Sequence, residues 1–235
     1  MTDRTILIVG GCAGIGLELA RDLVAGGDRV IVTSRSQSTA DAIASELGER
    51  ATGTAVDLSE PMEIASSLES VGHLDGIVFT AIERDANTVR EYDIARATRL
   101  ITLKLIGYTE TVHALLDRLE PSIDTGIVLF GGRAKDAPYP GSTTVSTING
   151  GVDGIMNTLA LELAPIRVNA LHPGIVGDSP FWRDKPEGVL AGYETRTPGG
   201  SLTTMADVVD AAKFLLFNRG VSAHSLNVDR AWRVT

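Results

Sequence analysis

Short β-branched runs alternate with amphipathic stretches along the whole chain. The runs fall at 5–9 (TILIV), 29–34 (RVIVTS), 51–56 (ATGTAV), 75–81 (DGIVFTA), 126–131 (GIVLFG), 166–171 (IRVNAL) and 225–228 (SLNV). Between them, 15–26, 38–47, 60–70, 86–119, 143–164 and 205–218 carry apolar residues at three- and four-residue spacing, as at Ile155, Leu159 and Leu163. The alternation predicts an α/β fold: a single doubly wound domain over 1–235, with a seven-stranded parallel sheet and helices on both faces. No repeat, low-complexity tract or Pro/Gly-rich linker divides it. The one long irregular stretch, 172–204, contains Pro173, Gly174, Pro180, Pro186, Pro198 and Gly199. It is too long for a connector and reads as a lid or substrate loop.

Composition narrows the partners. Of 235 residues, 43% are hydrophobic and 22% charged, with a net charge of −9. No Lys/Arg run interrupts that acidity, so nucleic acid and anionic membrane would be repelled. Cys12 is the single cysteine and has no internal disulfide partner. The opening apolar run is too short for a signal peptide, and no segment approaches the roughly 20 apolar residues of a membrane span. The expected compartment is the cytoplasm.

The first strand runs into Gly10, Gly14 and Gly16, spaced G-x-x-x-G-x-G, and then into a helix. Such a turn lets backbone approach a pyrophosphate, whose charge meets helix N–H groups. Cys12 and Ile15 belong to the same turn, Cys12 as a small filler. The second strand ends in Thr33-Ser34-Arg35, where an NAD-selective site would place an acid. A guanidinium beside a hydroxyl suits a 2′-phosphate, which favours NADP(H) over NAD(H). The bland alternative has Arg35 covering the adenine face or pointing to solvent.

This Rossmann-type glycine spacing resembles the short-chain dehydrogenase/reductase family, and the resemblance extends over nearly the whole chain. It rests also on Asp57, ALELAP at 160–165, RVNALHPG at 167–174, 197–216 and NVD at 227–229. It implies that Asp57 and Leu58 line an adenine pocket, unless Asp57 merely caps the next helix. It implies too that Ala81 is what remains of the family's Asn-Asn-Ala-Gly, replaced here by Phe79-Thr80-Ala81-Ile82. Pro173, Gly174, Ile175 and Val176 would hold the nicotinamide carboxamide. Relatives pair through the two long helices, here 86–119 and 143–164, so a homodimer or homotetramer acting on a small-molecule substrate is implied, with no metal.

The same resemblance exposes what is missing. The family's catalytic Ser, Tyr, Lys and Asn fall on Gly132, Val145, Asn149 and Lys104, and none of the four types is kept. Asn149 retains hydrogen bonds for a ribose hydroxyl but no charge. Tyr139, between Pro138 and Pro140 and without a Lys four residues on, does not restore the set. Arg133, after the fifth strand, and Asp178, in Gly177-Asp178-Ser179-Pro180-Phe181-Trp182, resemble an atypical branch of imine or iminium reductase/cyclases. That branch lacks the Tyr and Lys.

An iminium needs no acid, because adding hydride gives a neutral amine directly. On this reading Asp178 keeps an imine protonated and Arg133 holds a carbonyl or carboxylate. The alternatives are an Asx turn for Asp178 and a surface ion pair with Asp136 for Arg133. Lys104 is a replacement proton donor if desolvated, or a helix lysine snorkelling to the surface. His172 reads as structural, and Phe181, Trp182 and Tyr193 as an aromatic wall. The rival function is an inactive NADP(H)-binding pseudoenzyme: a sensor, a scaffold or a non-redox cyclase.

Overall fold

A computed structural model describes residues 3–186 and 188–232. The strands are β1 (Thr5–Val9), β2 (Arg29–Ser34), β3 (Ala51–Ala55), β4 (Gly76–Phe79), β5 (Gly126–Phe130), β6 (Arg167–Pro173) and β7 (Ser225–Val228). The helices are α1 (Gly14–Ala25), α2 (Gln37–Leu47), α3 (Pro61–Ser67), α4 (Ile94–Ile101), α5 (Gly107–Ala114), α6 (Thr143–Glu162), α7 (Pro180–Arg183), α8 (Val189–Glu194) and α9 (Met205–Phe217). All strand pairs are parallel, in the order β3-β2-β1-β4-β5-β6-β7. This is the seven-stranded, doubly wound sheet that the alternation predicts.

Burial on both faces explains why the strands are almost wholly apolar. In β1, Ile6 and Ile8 pack with Leu19 and Leu23 of α1 and Val208, Ala212 and Leu216 of α9. Leu7 and Val9 face the other way, against Tyr108 and Val112 of α5 and Val152 and Met156 of α6. The strand order reverses between β1 and β4. In an open parallel sheet that reversal leaves a crevice at the carboxyl ends of the strands.

Two expected elements differ. The helix expected over 86–119 starts only at Ile94, where the Asp93 carboxylate accepts from the Arg96 N–H at 2.9 Å. Residues 86–93 instead lie against the start of α6, because buried Asn87 bonds both backbone groups of Asp93 and its carbonyl accepts from the Thr143 N–H. From α4 the chain passes through a π-helical turn, Thr102–Ile106, into α5. The 172–204 stretch carries α7 and α8 and is pinned at its base by a parallel bridge between Val176 and Thr203.

Arg167 is buried at the opposite edge and donates to the carbonyls of Ile123, Leu215 and Leu216 at 2.7, 2.9 and 2.5 Å. The last two belong to the final turn of α9, whose carbonyls have no helical partner. Arg167→Met should lower the free energy of unfolding by about 2–4 kcal/mol, since several buried acceptors lose their donor together. The check is a denaturant midpoint that falls with an unchanged m-value.

Candidate active site and cofactor cleft

A cleft of about 1360 Å³ opens at the carboxyl ends of the strands. Gly10, Cys12, Gly14, Ile15, Gly16, Ser34, Arg35, Asp57, Leu58, Ala81, Asn149, Pro173, Gly174, Ile175 and Val176 all line it, with Lys104, Arg133 and Val145.

The glycine turn is shaped by close approach. Gly10 has φ +88°, and a Cβ there would meet the Ala81 nitrogen at 2.7 Å. A Cβ on Gly16 would strike the Gly10 carbonyl and the Thr80 hydroxyl. That hydroxyl donates to the Gly10 carbonyl at 3.1 Å, and the Gly10 N–H donates to buried Thr33 at 3.0 Å. Thr80, within the divergent Phe79-Thr80-Ala81-Ile82, therefore braces the turn, a role its sequence context does not signal. Gly14 (φ +52°) has open space where a Cβ would stand. At the start of α1, Ala13 offers no side-chain cap and the first turn carries no acid. Uncapped N–H groups facing an open cradle fit a pyrophosphate.

Beyond the end of β2, Arg35 is mostly exposed and lies 3.3 Å from Glu83, which Arg99 grips with two nitrogens at 3.0 and 2.7 Å. The Arg99 hydrogen bonds hold Glu83 below the usual carboxylate range against the opposing effect of burial. Asp57 accepts from both the N–H and the hydroxyl of Ser59, at 2.9 and 2.6 Å. Its Asx turn and its place on the cleft wall coexist. Glu83 and Arg99 carry no motif and were not candidates from sequence.

The other end of the lining, around the ends of β5 and β6, turns on His172, which is fully buried. Its Nδ1 accepts from the Gly132 N–H at 3.0 Å, so Nε2 bears the proton and donates to Asp153 at 2.8 Å. Burial, outweighing the pull of Asp153, lowers its pKa and keeps the ring neutral. A Cβ on Gly131 would collide with this ring, and one on Gly132 would meet the Asn149 amide nitrogen at 2.8 Å. Gly132 and Asn149 are thus one steric unit.

Lys104 lies in the π-helical turn and is 1% exposed. Neither its Nζ nor the buried Asn149 Oδ1 has a hydrogen-bond partner among the described residues. Burial alone lowers the Lys104 pKa to about 7, with the Tyr108 ring 5.1 Å away. The snorkelling alternative is therefore excluded by its burial.

Two expected roles change. Asp178 is exposed and absent from the cleft lining; its carboxylate accepts from the Met205 N–H at 2.8 Å, at the first residue of α9. It ties 172–204 to that helix and is not placed to hold an imine. Arg133 does line the cleft, but its buried guanidinium is engaged by Asp136 at 2.5 Å and Asp229 at 2.6 Å. It pins the end of β7 beneath Gly174, where a Cβ would already touch Asp229. Asp136 also pairs with Lys135, and Lys135 with Asp153, closing a chain of alternating charges back to His172.

The chain belongs to the short-chain dehydrogenase family, whose model matches residues 4–189. Proteins of this family use nicotinamide cofactors. A 3-oxoacyl-acyl-carrier-protein reductase of Bos taurus is 29% identical over 240 residues, covering 99% of both chains. Among solved structures, a short-chain dehydrogenase/reductase (glucose/ribitol dehydrogenase) from Brucella melitensis superposes with a TM-score of 0.89 at 24% identity, covering 98% of this chain and 96% of that one. The MalC reductase/Diels-Alderase of Malbranchea aurantiaca also gives 0.89, at 20% identity, covering 99% and 96%. No helix among the described residues is long and apolar enough to cross a membrane.

Buried Lys104 carries a stability signature. Its folded pKa of about 7 lies below the ordinary 10.5, so between those values the unfolded chain binds the extra proton. Stability should therefore rise with pH from about 7 toward 10.5, at no more than about 1.4 kcal/mol per pH unit. Lys104→Met should be more stable than wild type at pH 7 and lose this rise, as read from melting temperatures across the range. A variant with the same slope would refute a titrating buried amine.

Proposed function

We propose that this chain is an NADP(H)-dependent reductase in which Lys104 supplies the proton that a tyrosine supplies elsewhere in the family. The observation that carries the reading is the buried, unpartnered Lys104 Nζ on the wall of the cofactor cleft. When bound, NADP(H) contributes the hydride equivalent. The α1 N-terminus and Gly14 suit its pyrophosphate, and the orphaned Asn149 Oδ1 suits a ribose hydroxyl. Arg35 with Ser34 suits the 2′-phosphate, which would share Arg35 with Glu83, and Pro173–Val176 suits the carboxamide.

Reduction of a carbonyl leaves an alkoxide oxygen that requires one proton. Lys104 gives it and becomes the neutral amine that its burial favours, then recovers a proton from water. A donor with a pKa near neutrality is matched to this task.

A cyclic imine or iminium is the second reading. Val145 favours it, because an apolar side chain lines the cleft where the family keeps its donor, and an iminium carbon accepts reduction without one. Asp178 has no part in either.

NADPH oxidation over a panel of ketones and cyclic imines separates the readings. With Lys104 as the acid, ketone reduction should fall as pH rises through about 7, and Lys104→Met should lower kcat by about 10²–10⁴ with KM little changed. Imines reduced equally by wild type and variant, with ketones untouched, would replace the first reading by the second. NADPH binding without turnover of either class would leave a pseudoenzyme.

Cofactor choice has its own check. Arg35→Ala should weaken NADPH binding about tenfold and spare NADH, and an equal loss for both would remove the preference.

A further inference from the structure

The outer end of the cleft carries a cation that the acidic protein leaves unmatched. Of the other lining arginines, Arg35 faces Glu83, Arg96 faces Asp85 at 2.9 Å, Arg133 is held by Asp136 and Asp229, and Arg196 donates to the Gly192 carbonyl at 3.0 Å. Arg84 has no carboxylate within ion-pair distance among the described residues; its guanidinium instead stacks on Phe181, 3.2 Å from the ring centroid. The residue keeps part of its surface in water, but the side against the ring is desolvated, which lowers its pKa.

The neighbouring carboxylates are committed. Glu83 is locked by Arg99, Asp85 is buried against Arg96, and Asp93 caps α4. Glu91 stands exposed on the rim.

Phe181 begins a row of rings. Phe181 and Trp182 meet edge-on at 5.2 Å, Trp182 and Tyr193 at 5.3 Å, and Tyr193 and Trp232 at 6.5 Å. All four rings and Arg84 line the same cleft. Such a wall takes flat, apolar ligands, and a guanidinium fixed on its first ring takes an anion in a planar fork.

We infer that the substrate is a flat aromatic or polycyclic acid, its ring system on Trp182 and Tyr193 and its carboxylate on Arg84, which Phe181 holds in place. This deepens the reductase reading by naming the substrate class of the same cleft.

Naphthoate and naphthamide, alike in shape and different in charge, are the probes. Both tryptophans of the chain stand in the ring row, so fluorescence quenching in the presence of NADP⁺ reports binding directly. Wild type should bind naphthoate about tenfold more tightly than naphthamide, as one charge-assisted pair provides. Arg84→Met should erase the difference while leaving naphthamide affinity within about twofold, and Arg84→Lys should restore part of the preference.

Equal affinity for the two probes in wild type overturns the assignment, as does binding of neither. So does a preference that survives Arg84→Met, or a loss of both probes alike, which would mark Arg84 as a mere latch on Phe181. Binding needs no turnover, so an intact naphthoate preference without NADPH oxidation would sink the reductase reading alone.

Discussion

The reacting end of the cleft depends on one buried imidazole. His172 sits at the end of β6 with both nitrogens committed, one to the Gly132 N–H and one to Asp153. Its ring fills the space any side chain at 131 would need, and Asn149 fills the space at 132. From Asp153 the charges run through Lys135, Asp136 and Arg133 to Asp229. Neutral His172 fixes one hydrogen-bonding direction at the head of this chain, so β5, β6, α6 and the end of β7 share a single arrangement.

That arrangement couples positions 132 and 149. A side chain at 132 would press on the Asn149 amide, so neither position can change without the other giving way. Lys104, in the π-helical turn, has no hydrogen-bond partner for its Nζ among the described residues. A buried ammonium without a partner costs stability, and the fold tolerates it beside a cleft, where π-helical turns often mark function.

Much of this was legible in the chain. Strands buried on both faces must be apolar throughout, so their runs stand out against amphipathic helices, and the G-x-x-x-G-x-G spacing marks the cofactor turn. Less legible was anything set by a side chain's single partner. The late start of α4 depends on Asn87 turning back to Asp93, which no periodicity records. Asp178 reads as a pocket acid by its position after Pro173-Gly174, yet the Met205 N–H lies closer to hand. Thr80 and Glu83 sit in the segment where the family pattern breaks, so their contacts with the glycine turn and with Arg35 and Arg99 had no template.

Charge adds the last constraint. With a net charge of −9 the protein repels anions at long range, and screening confines that repulsion to about 10 Å at moderate salt. Short-range attraction of an anion then falls to groups that face into the cleft. The uncapped α1 N-terminus, exposed Arg35 and Arg84 all line it, while Lys104 on the same wall has its pKa lowered to about 7 by burial. A backbone dipole and a stacked guanidinium offer an anion different physics, the first fixed by the helix and the second by a single side chain.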